Sequence, residues 1–421
     1  MSKVSGERFG GLWRNPNFLR LWGAQTVSLA GTQVSRLAIP LVAILTLDAS
    51  ATEVGIVAAA ETLPYPIFGL FAGALVDRVR RKPILIGMDL ARAGLFALLP
   101  LCWWFDWLSL PLLAGLAFAA GTCSVFFDVA AQSYLPVLVG RARLVDANSK
   151  FALSGAGTRV AGPGLGGVLI ELISAPVAVG ADAFSFLISG LLINRIRDRE
   201  PSSSPPAATG SLAGEIAAGV GYVLWHPVLR PIAACTATFN LAVGIFTAVF
   251  VLFVTRELDI TPGLLGLIFA AGGVGVLIGA RLAGRLNDVL GTGRAIIAGV
   301  VIGACGSLTI ALAPMPLALA IATLILGRIV YSVGTVMYDV VQVSLRQTVT
   351  PDAMLGRMNA TIRVAVWGTL PLGSLLGGVL GEAAGLRPTL VLASGGMALA
   401  ALWLWFSDVR SLGTYDDATW R

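Results

Sequence analysis

The amino-acid sequence predicts an all-α polytopic membrane protein of twelve transmembrane helices, built as two six-helix repeats of one orientation. Three observations carry this. Of the 421 residues, 56% are hydrophobic and only 12% charged, with mean hydropathy +0.84, where soluble proteins carry about 25% charged residues. The apolar runs recur at the length a bilayer needs, with basic residues in alternate loops. A shift of 211 residues lays one half of the chain on the other without a gap.

A hydrocarbon core of about 30 Å takes about 20 apolar residues per helix. The spans read as Phe18–Leu47, Thr52–Val76, Ile84–Phe105, Leu108–Leu135, Asn148–Ile173 and Val177–Ile193, then Val228–Val254, Leu264–Leu286, Ala295–Ala313, Leu317–Ser344, Met358–Ala383 and Pro388–Phe406. The first run is too long for a signal-peptide core and contains Arg36, so it is read as a retained helix. The 50 glycines and 21 prolines suit helices that approach closely in lipid. Cys102, Cys123, Cys235 and Cys305 fall in apolar stretches at unrelated spacings, which suggests neither a disulfide frame nor a zinc site.

Charge sets the orientation. The N-terminal tail carries Lys3, Arg8, Arg14 and Arg20, and the loop after span 2 carries Arg78, Arg80, Arg81 and Lys82. Loops of the same parity hold Arg141, Arg195, Arg285, Arg346 and Arg357, among others, while the opposite loops hold Asp48, Asp106, Glu171, Glu257, Asp259 and Glu382. The positive-inside rule then puts both termini in the cytoplasm of a bacterial inner membrane. The net charge of +6 does not point to nucleic acid, because the basic residues are spread over short loops.

Residues 195–227 form the one long interruption. Their Pro201-Ser202-Ser203-Ser204-Pro205-Pro206 run reads as a flexible linker, followed by a short amphipathic helix near Leu212–Leu224. The expected organisation is a six-helix bundle over 1–194, a cytoplasmic linker over 195–227 and a second bundle over 228–421 with a short cytoplasmic tail.

At the offset of 211, Gly55 falls on Gly266, and Gly73, Leu75 and Asp77 fall on Gly284, Leu286 and Asp288. Asp128 falls on Asp339 and Asn148 on Asn359, while Gly166-Gly167-Val168-Leu169 falls on Gly377-Gly378-Val379-Leu380. Matches at Asp and Asn inside apolar chains are uncommon by chance. Two parallel six-helix repeats resemble the architecture of major facilitator transporters.

Three motifs strengthen that resemblance. Gly73-Ala74-Leu75-Val76-Asp77-Arg78-Val79-Arg80-Arg81-Lys82 resembles the superfamily signature G-x-L-x-D-R-x-G-R-K/R between helices 2 and 3, with Arg80 in place of the second Gly. Gly162-Pro163-Gly164-Leu165-Gly166-Gly167 resembles the GPxxGG stretch of exporters and antiporters, with Thr158 where a small residue is expected upstream. Asn17-Phe18-Leu19-Arg20-Leu21-Trp22, the segment Gly221–Arg230 and Met354-Leu355-Gly356-Arg357-Met358-Asn359 are similar to the enterobactin-exporter and macrolide-efflux subgroup; Thr32 stands where that subgroup often has an acid. The resemblance implies export of a siderophore, macrolide or other lipophilic compound, usually by proton antiport.

A charge inside a membrane helix costs about 2.5–3.5 kcal/mol on insertion scales and needs a reason. Arg36 in span 1 and Glu61 in span 2 stand at one depth and are expected to pair, as a coupling site or as a structural ion pair. Gln25, Ser28, Thr32 and Arg36 recur at three- and four-residue steps, so they share one face of span 1, with Gln33 off it. Arg159 in span 5 reads either as a cavity charge that attracts an anionic substrate or a carboxylate on another helix, or as a packing charge bound to helix-end carbonyls; Arg328 in span 10 reads the same way, and Asn240 in span 7 is a further cavity candidate. Asp89 and Arg92, three apart, read as a structural pair, and Asp182 as a structural acid. Phe126, Phe127, Phe239 and Phe246 serve packing or a lipophilic substrate.

The superfamily resemblance also implies a latch. Gly73, Asp77, Arg78 and Arg81 would close the loop against the start of span 11, where Asn359 and Arg363 stand. Asp288 would make the mirror contact with span 5 near Asn148. A carboxylate at a helix N-terminus is favourable by roughly 0.3–2 kcal/mol.

The sequence contains no GxxxxGK[ST], HExxH or GxSxG, which speaks against an enzyme, and no cofactor or metal is implied. The expected partners are a small-molecule substrate, protons and the bilayer, in a monomer. Lysophospholipid flipping and nutrient import on the same fold stand as alternatives.

Overall fold

The computed structural model describes residues 11–76, 78–140, 143–197, 212–314 and 316–413. The described chain is helical throughout. In order the helices are α1 (Pro16–Leu41), α2 (Ala51–Thr62), α3 (Pro64–Val76), α4 (Arg81–Trp104), α5 (Leu110–Val139), α6 (Leu144–Ile173) and α7 (Ala175–Asn194). The second half follows with α8 (Leu212–Trp225), α9 (Leu229–Leu252), α10 (Pro262–Leu290), α11 (Thr292–Ala311), α12 (Leu317–Val349), α13 (Asp352–Ala384) and α14 (Leu386–Trp405).

Among the described residues, ten segments are long and apolar enough to cross a bilayer. The other two expected spans differ for visible reasons. Span 2 is interrupted at Leu63 into α2 and α3, because Pro64 has no N–H to give to the helical ladder, while Leu63 itself keeps helical dihedrals. Span 5, α6, carries Lys150, Arg159 and Glu171 along its length. Several helices outrun their apolar stretches: α12 continues to Val349, past the expected end at Ser344.

Local signals set the helix starts. Asn15 Oδ1 accepts from the N–H groups of Asn17 and Phe18, with Pro16 in the first turn of α1. Ser50 and Glu53 form a reciprocal capping box at α2. The expected amphipathic helix after the linker is α8, which packs on α13.

The repeat is carried by packing and by backbone. Within the first half α1 packs on α6 and α7, α4 on α5 and α7, and α2 with α3 on α5. Their counterparts, α9 on α13 and α14, α11 on α12 and α14, and α10 on α12, all recur in the second. A π-helical turn at Val42–Thr46 is matched by one at Phe253–Glu257. Asp48 (φ 49°) matches Asp259 (φ 50°), and Ser174 (φ 99°) matches Gly385 (φ 93°).

The halves meet mainly where α2 crosses α13 and α6 crosses α10. Both crossings are made at glycine pairs that are repeat images. A Cβ on Gly55 would come 3.0 Å from Gly378 Cα and 2.6 Å from Ser374 O, and one on Gly167 would come 2.8 Å from Gly266 Cα and 2.5 Å from Pro262 O. Only hydrogen allows backbones this close.

Candidate functional site

The crossings lie toward the face that carries the acidic loops, and polar contacts seal that face. Glu171 Oε2, at the end of α6, accepts from Gly263 N–H (2.8 Å) and the Thr261 hydroxyl (3.3 Å) at the start of α10. Glu382, near the end of α13, accepts from the Thr52 hydroxyl in the first turn of α2. Arg256 bridges to Asp48 at 2.7 Å and also donates to the Ala49 carbonyl. Toward the basic face the halves diverge around a cavity of about 890 Å³, whose lining reaches Arg346 and Gly356.

The candidate residues distribute over this cavity and three others, two of which share lining residues with it. Gln25, Ser28, Thr32 and Arg36 all line a cavity of about 540 Å³ beside Asp128, so the polar stripe of α1 does face a cavity. Asn240, Asn359 and Arg363 line the large cavity; the Asn240 amide donates to the Thr236 carbonyl at 2.9 Å. Arg159 and Gln33 line a third cavity of about 230 Å³ between α1, α6, α10 and α12, together with Arg328 and Pro163. Glu61 faces a fourth, of about 100 Å³, with Arg36 and Thr32. Arg36 thus lines three of the four cavities.

The expected Arg36–Glu61 ion pair is not made. The two groups are within electrostatic reach across the small cavity, but they do not approach within 4 Å. Spans 1 and 2 are neighbours in sequence but hardly in packing: α1 lies along α6 and α7, α2 along α5 and α13. That separation leaves Arg36 pointing to where the cavities meet.

Asp89 and Arg92 do pair, at 2.5 Å and buried. The Arg92 guanidinium lies between the rings of Phe127 and Phe186, at 4.4 and 4.2 Å. Arg92 also reaches the cavity of the α1 stripe. Asp182 is buried and accepts from the hydroxyls of Ser35 and Ser185. Phe239 and Phe246 are core residues; Phe126 packs edge-on to Phe71.

The latch residues are only partly visible. Asp77 lies outside the described residues. Gly73 is half-buried, Arg78 exposed and Arg81 half-buried. Lys82 Nζ donates to the Asn194 and Ile196 carbonyls at the end of α7. Asp288 is exposed and has no hydrogen bond or ion pair among the described residues, so in this conformation it does not meet Asn148. In the exporter-type stretch, Gly162, Pro163, Gly166 and Gly167 are all buried; Gly162 abuts Gln33 and Gly166 abuts Val34.

Sequence reasoning passed over four cavity residues. Asp128 and Asp339 are repeat images and both face the large cavity. Tyr65 donates to Asp128 at 3.1 Å and stacks on Trp367 at 4.1 Å, the one ring from α3 and the other from α13. This stack stands between the Glu61 cavity and the large one, lining both. The signal for the two acids was available, since the repeat superposes them in otherwise apolar spans. Tyr65 and Trp367 gave none, as aromatic residues in membrane helices are commonplace.

Comparison with known proteins adds the context. The family described as transmembrane secretion effector matches residues 11–420. The multidrug efflux pump Tap of Mycolicibacterium fortuitum is 30% identical over 394 residues, covering 90% of this chain and 93% of the pump. The MFS-type transporter YfiS of Bacillus subtilis is 25% identical, with 88% of each chain covered. Among solved structures, a bacterial homologue of the iron transporter ferroportin in its inward-facing state superposes with a TM-score of 0.73 at 14% identity, over 92% of this chain and 98% of its own. The nucleoside transporter NupG superposes with a TM-score of 0.75 at 10% identity, over 93% of this chain and 98% of its own. These solved structures share the fold.

Proposed function

Because the chain belongs to the transmembrane secretion effector family of major facilitator transporters, we propose that it exports a small amphipathic molecule across the bacterial cytoplasmic membrane by alternating access, in exchange for protons. The basic face is the cytoplasmic one, with both termini on that side, and the protein works as a monomer. The observation that carries this reading is the cavity system between the halves, open toward the basic face and sealed at the acidic face, with Glu61 behind the Tyr65–Trp367 stack. The exporter-type Gly162-Pro163 stretch and the similarity to an efflux pump support the direction.

In this scheme substrate enters the large cavity from the cytoplasm. Glu61 carries the proton: charged, it faces Arg36; protonated, it no longer does, and the balance around Arg36 shifts. The halves rock about the glycine crossings. In the opposite conformation Asp77 and Asp288 cap the starts of α13 and α6, replacing the contacts of Glu382 and Glu171 at the other face.

The test is uptake of labelled macrolides, catecholate siderophores and lipophilic dyes into inverted membrane vesicles with an acidic, positive interior. Uptake abolished by a protonophore supports proton-driven export. Absence of gradient-dependent uptake of every compound sinks it. A second reading, lipid flipping, is favoured by one observation: an apolar groove of about 620 Å³ opens sideways between α1 and α6, lined by Trp22, Val27, Ala30 and Leu165.

A further inference from the structure

The cavities holding Glu61 and Arg328 are repeat images with opposite charge. Gly272 stands 211 positions after Glu61, Arg328 the same distance after Ala117, and Arg159 the same distance before Leu370. Glu61 and Ala117 line one cavity; Gly272, Arg328 and Arg159 line the other. The pseudo-symmetric sites have therefore diverged into one that carries an acid and one that carries two arginines of its own, with Arg36 bordering both.

The arginine cavity is chemically one-sided. Arg36, Arg159 and Arg328 line it, and no carboxylate does. Among the described residues none of the three makes an ion pair. Arg328 Nε is buried without a hydrogen-bond partner, and its guanidinium lies over the Phe269 ring at 4.7 Å. Gln33 and Ser332 add polar groups; Leu37, Val276 and Phe269 supply an apolar wall. Three guanidinium groups around one cavity, with no carboxylate in its lining, favour an oxyanion, which they can hold by paired N–H donors. The volume of about 230 Å³ suits such a group with a few attached atoms.

We propose that this cavity binds the anionic group, carboxylate or phosphate, of an amphipathic substrate, with Arg328 as its buried anchor, Arg159 as its second clamp and Phe269 against the apolar portion. This rests on reading the cavities between the halves as the transport site. The shared chemistry, an oxyanion on an apolar body, fits both a soluble aryl acid and a lysophospholipid.

The test uses the full chain in nanodiscs of phosphatidylcholine, with two fluorescent probes of one apolar body and opposite charge: dansylglycine and dansylcadaverine. No gradient is applied, so the outcome is independent of transport direction and proton coupling, and failure of the export reading does not mimic failure here. Dansylglycine is expected to bind at least tenfold more tightly. Arg328→Gln is expected to abolish the preference and Arg159→Gln to reduce it severalfold, while the exposed Arg230→Gln leaves it intact. Arg159 faces the cavity, so its variant reports even where Arg328→Gln fails to fold. Competition by 1-naphthyl phosphate against lysophosphatidylglycerol separates a soluble from a lipid source. Equal affinity for the two probes, binding of neither, or an unchanged preference in the arginine variants overturns the proposal.

Discussion

Glu171 and Glu382 stand 211 positions apart and make related contacts at the start of a helix in the opposite half: Glu171 accepts from the Gly263 N–H and the Thr261 hydroxyl, and Glu382 from the Thr52 hydroxyl. Carboxylates are favourable there because of the unpaired N–H groups and the helix dipole. Both are exposed, so the lower part of the range applies, about 0.5 kcal/mol each, or about fivefold in population for the pair. The double variant Glu171→Gln, Glu382→Gln is expected to shift the conformational balance toward opening at the acidic face by that factor. Spin labels at Asp106 and Leu317, in a background without the native cysteines, read the change as a larger long-distance population. An unchanged distance distribution would remove these contacts from the energetics of closure.

The glycine crossings give a sharper test, because their neighbours are backbone atoms that cannot step aside. Gly167→Ala and Gly378→Ala are each expected to cost about 1–3 kcal/mol of the closed arrangement and to abolish most transport. Gly157→Ala and Gly164→Ala are the controls, since a Cβ meets nothing at the first and only Ala270 Cβ at 3.7 Å at the second. Transport and melting temperature measured on all four should separate them into two classes.

Glu61→Gln should keep substrate binding and exchange between equal concentrations while losing gradient-driven accumulation. Trp367→Ala removes the ring that stacks on Tyr65 and should join the Glu61 cavity to the large one. It is expected to raise proton leak while leaving exchange in place. A Glu61→Gln variant that still accumulates substrate against a gradient would exclude Glu61 as the proton carrier.

His226, between α8 and α9, has a structural task. Its Nδ1 accepts from the N–H groups of Val228 and Leu229 at the start of α9. Partial burial holds its imidazole below the ordinary value of 6.5, so the folded state binds fewer protons than the unfolded. Its contribution is complete above pH 6.5 and is lost as pH falls toward the lowered folded value. His226→Ala should cost about 0.5–2 kcal/mol at neutral pH. His226→Asn, which keeps an acceptor, should retain most of that and flatten the acid limb of a thermal-melt series.

The architecture was largely legible in the sequence because membrane helices advertise themselves by length and apolarity and because the repeat is ungapped. The α1 stripe was legible too, since three- and four-residue steps define a face whatever that face meets. The Arg36–Glu61 contact was not, because depth in the bilayer follows from position in the chain but helix neighbours do not. Nor was the role of Glu171 and Glu382, which read simply as loop acids until the fold brought them to the helix starts opposite. The open face of the cavity is a property of how the halves are tilted, and residue types do not encode it.

The contact between Gly55 and Gly378 fixes a fulcrum near one end of a long rod. From Gly378 to Asn359 the helix α13 runs nineteen residues, about 28 Å at the helical rise. A turn of 10° about the fulcrum therefore sweeps Asn359 through about 5 Å, while the glycines themselves scarcely move. The same leverage holds for α6 about Gly167. A few degrees of rocking are enough to carry side chains across a hydrogen-bond length at the far face, so the mouth of the cavity is the most mechanically amplified part of the molecule.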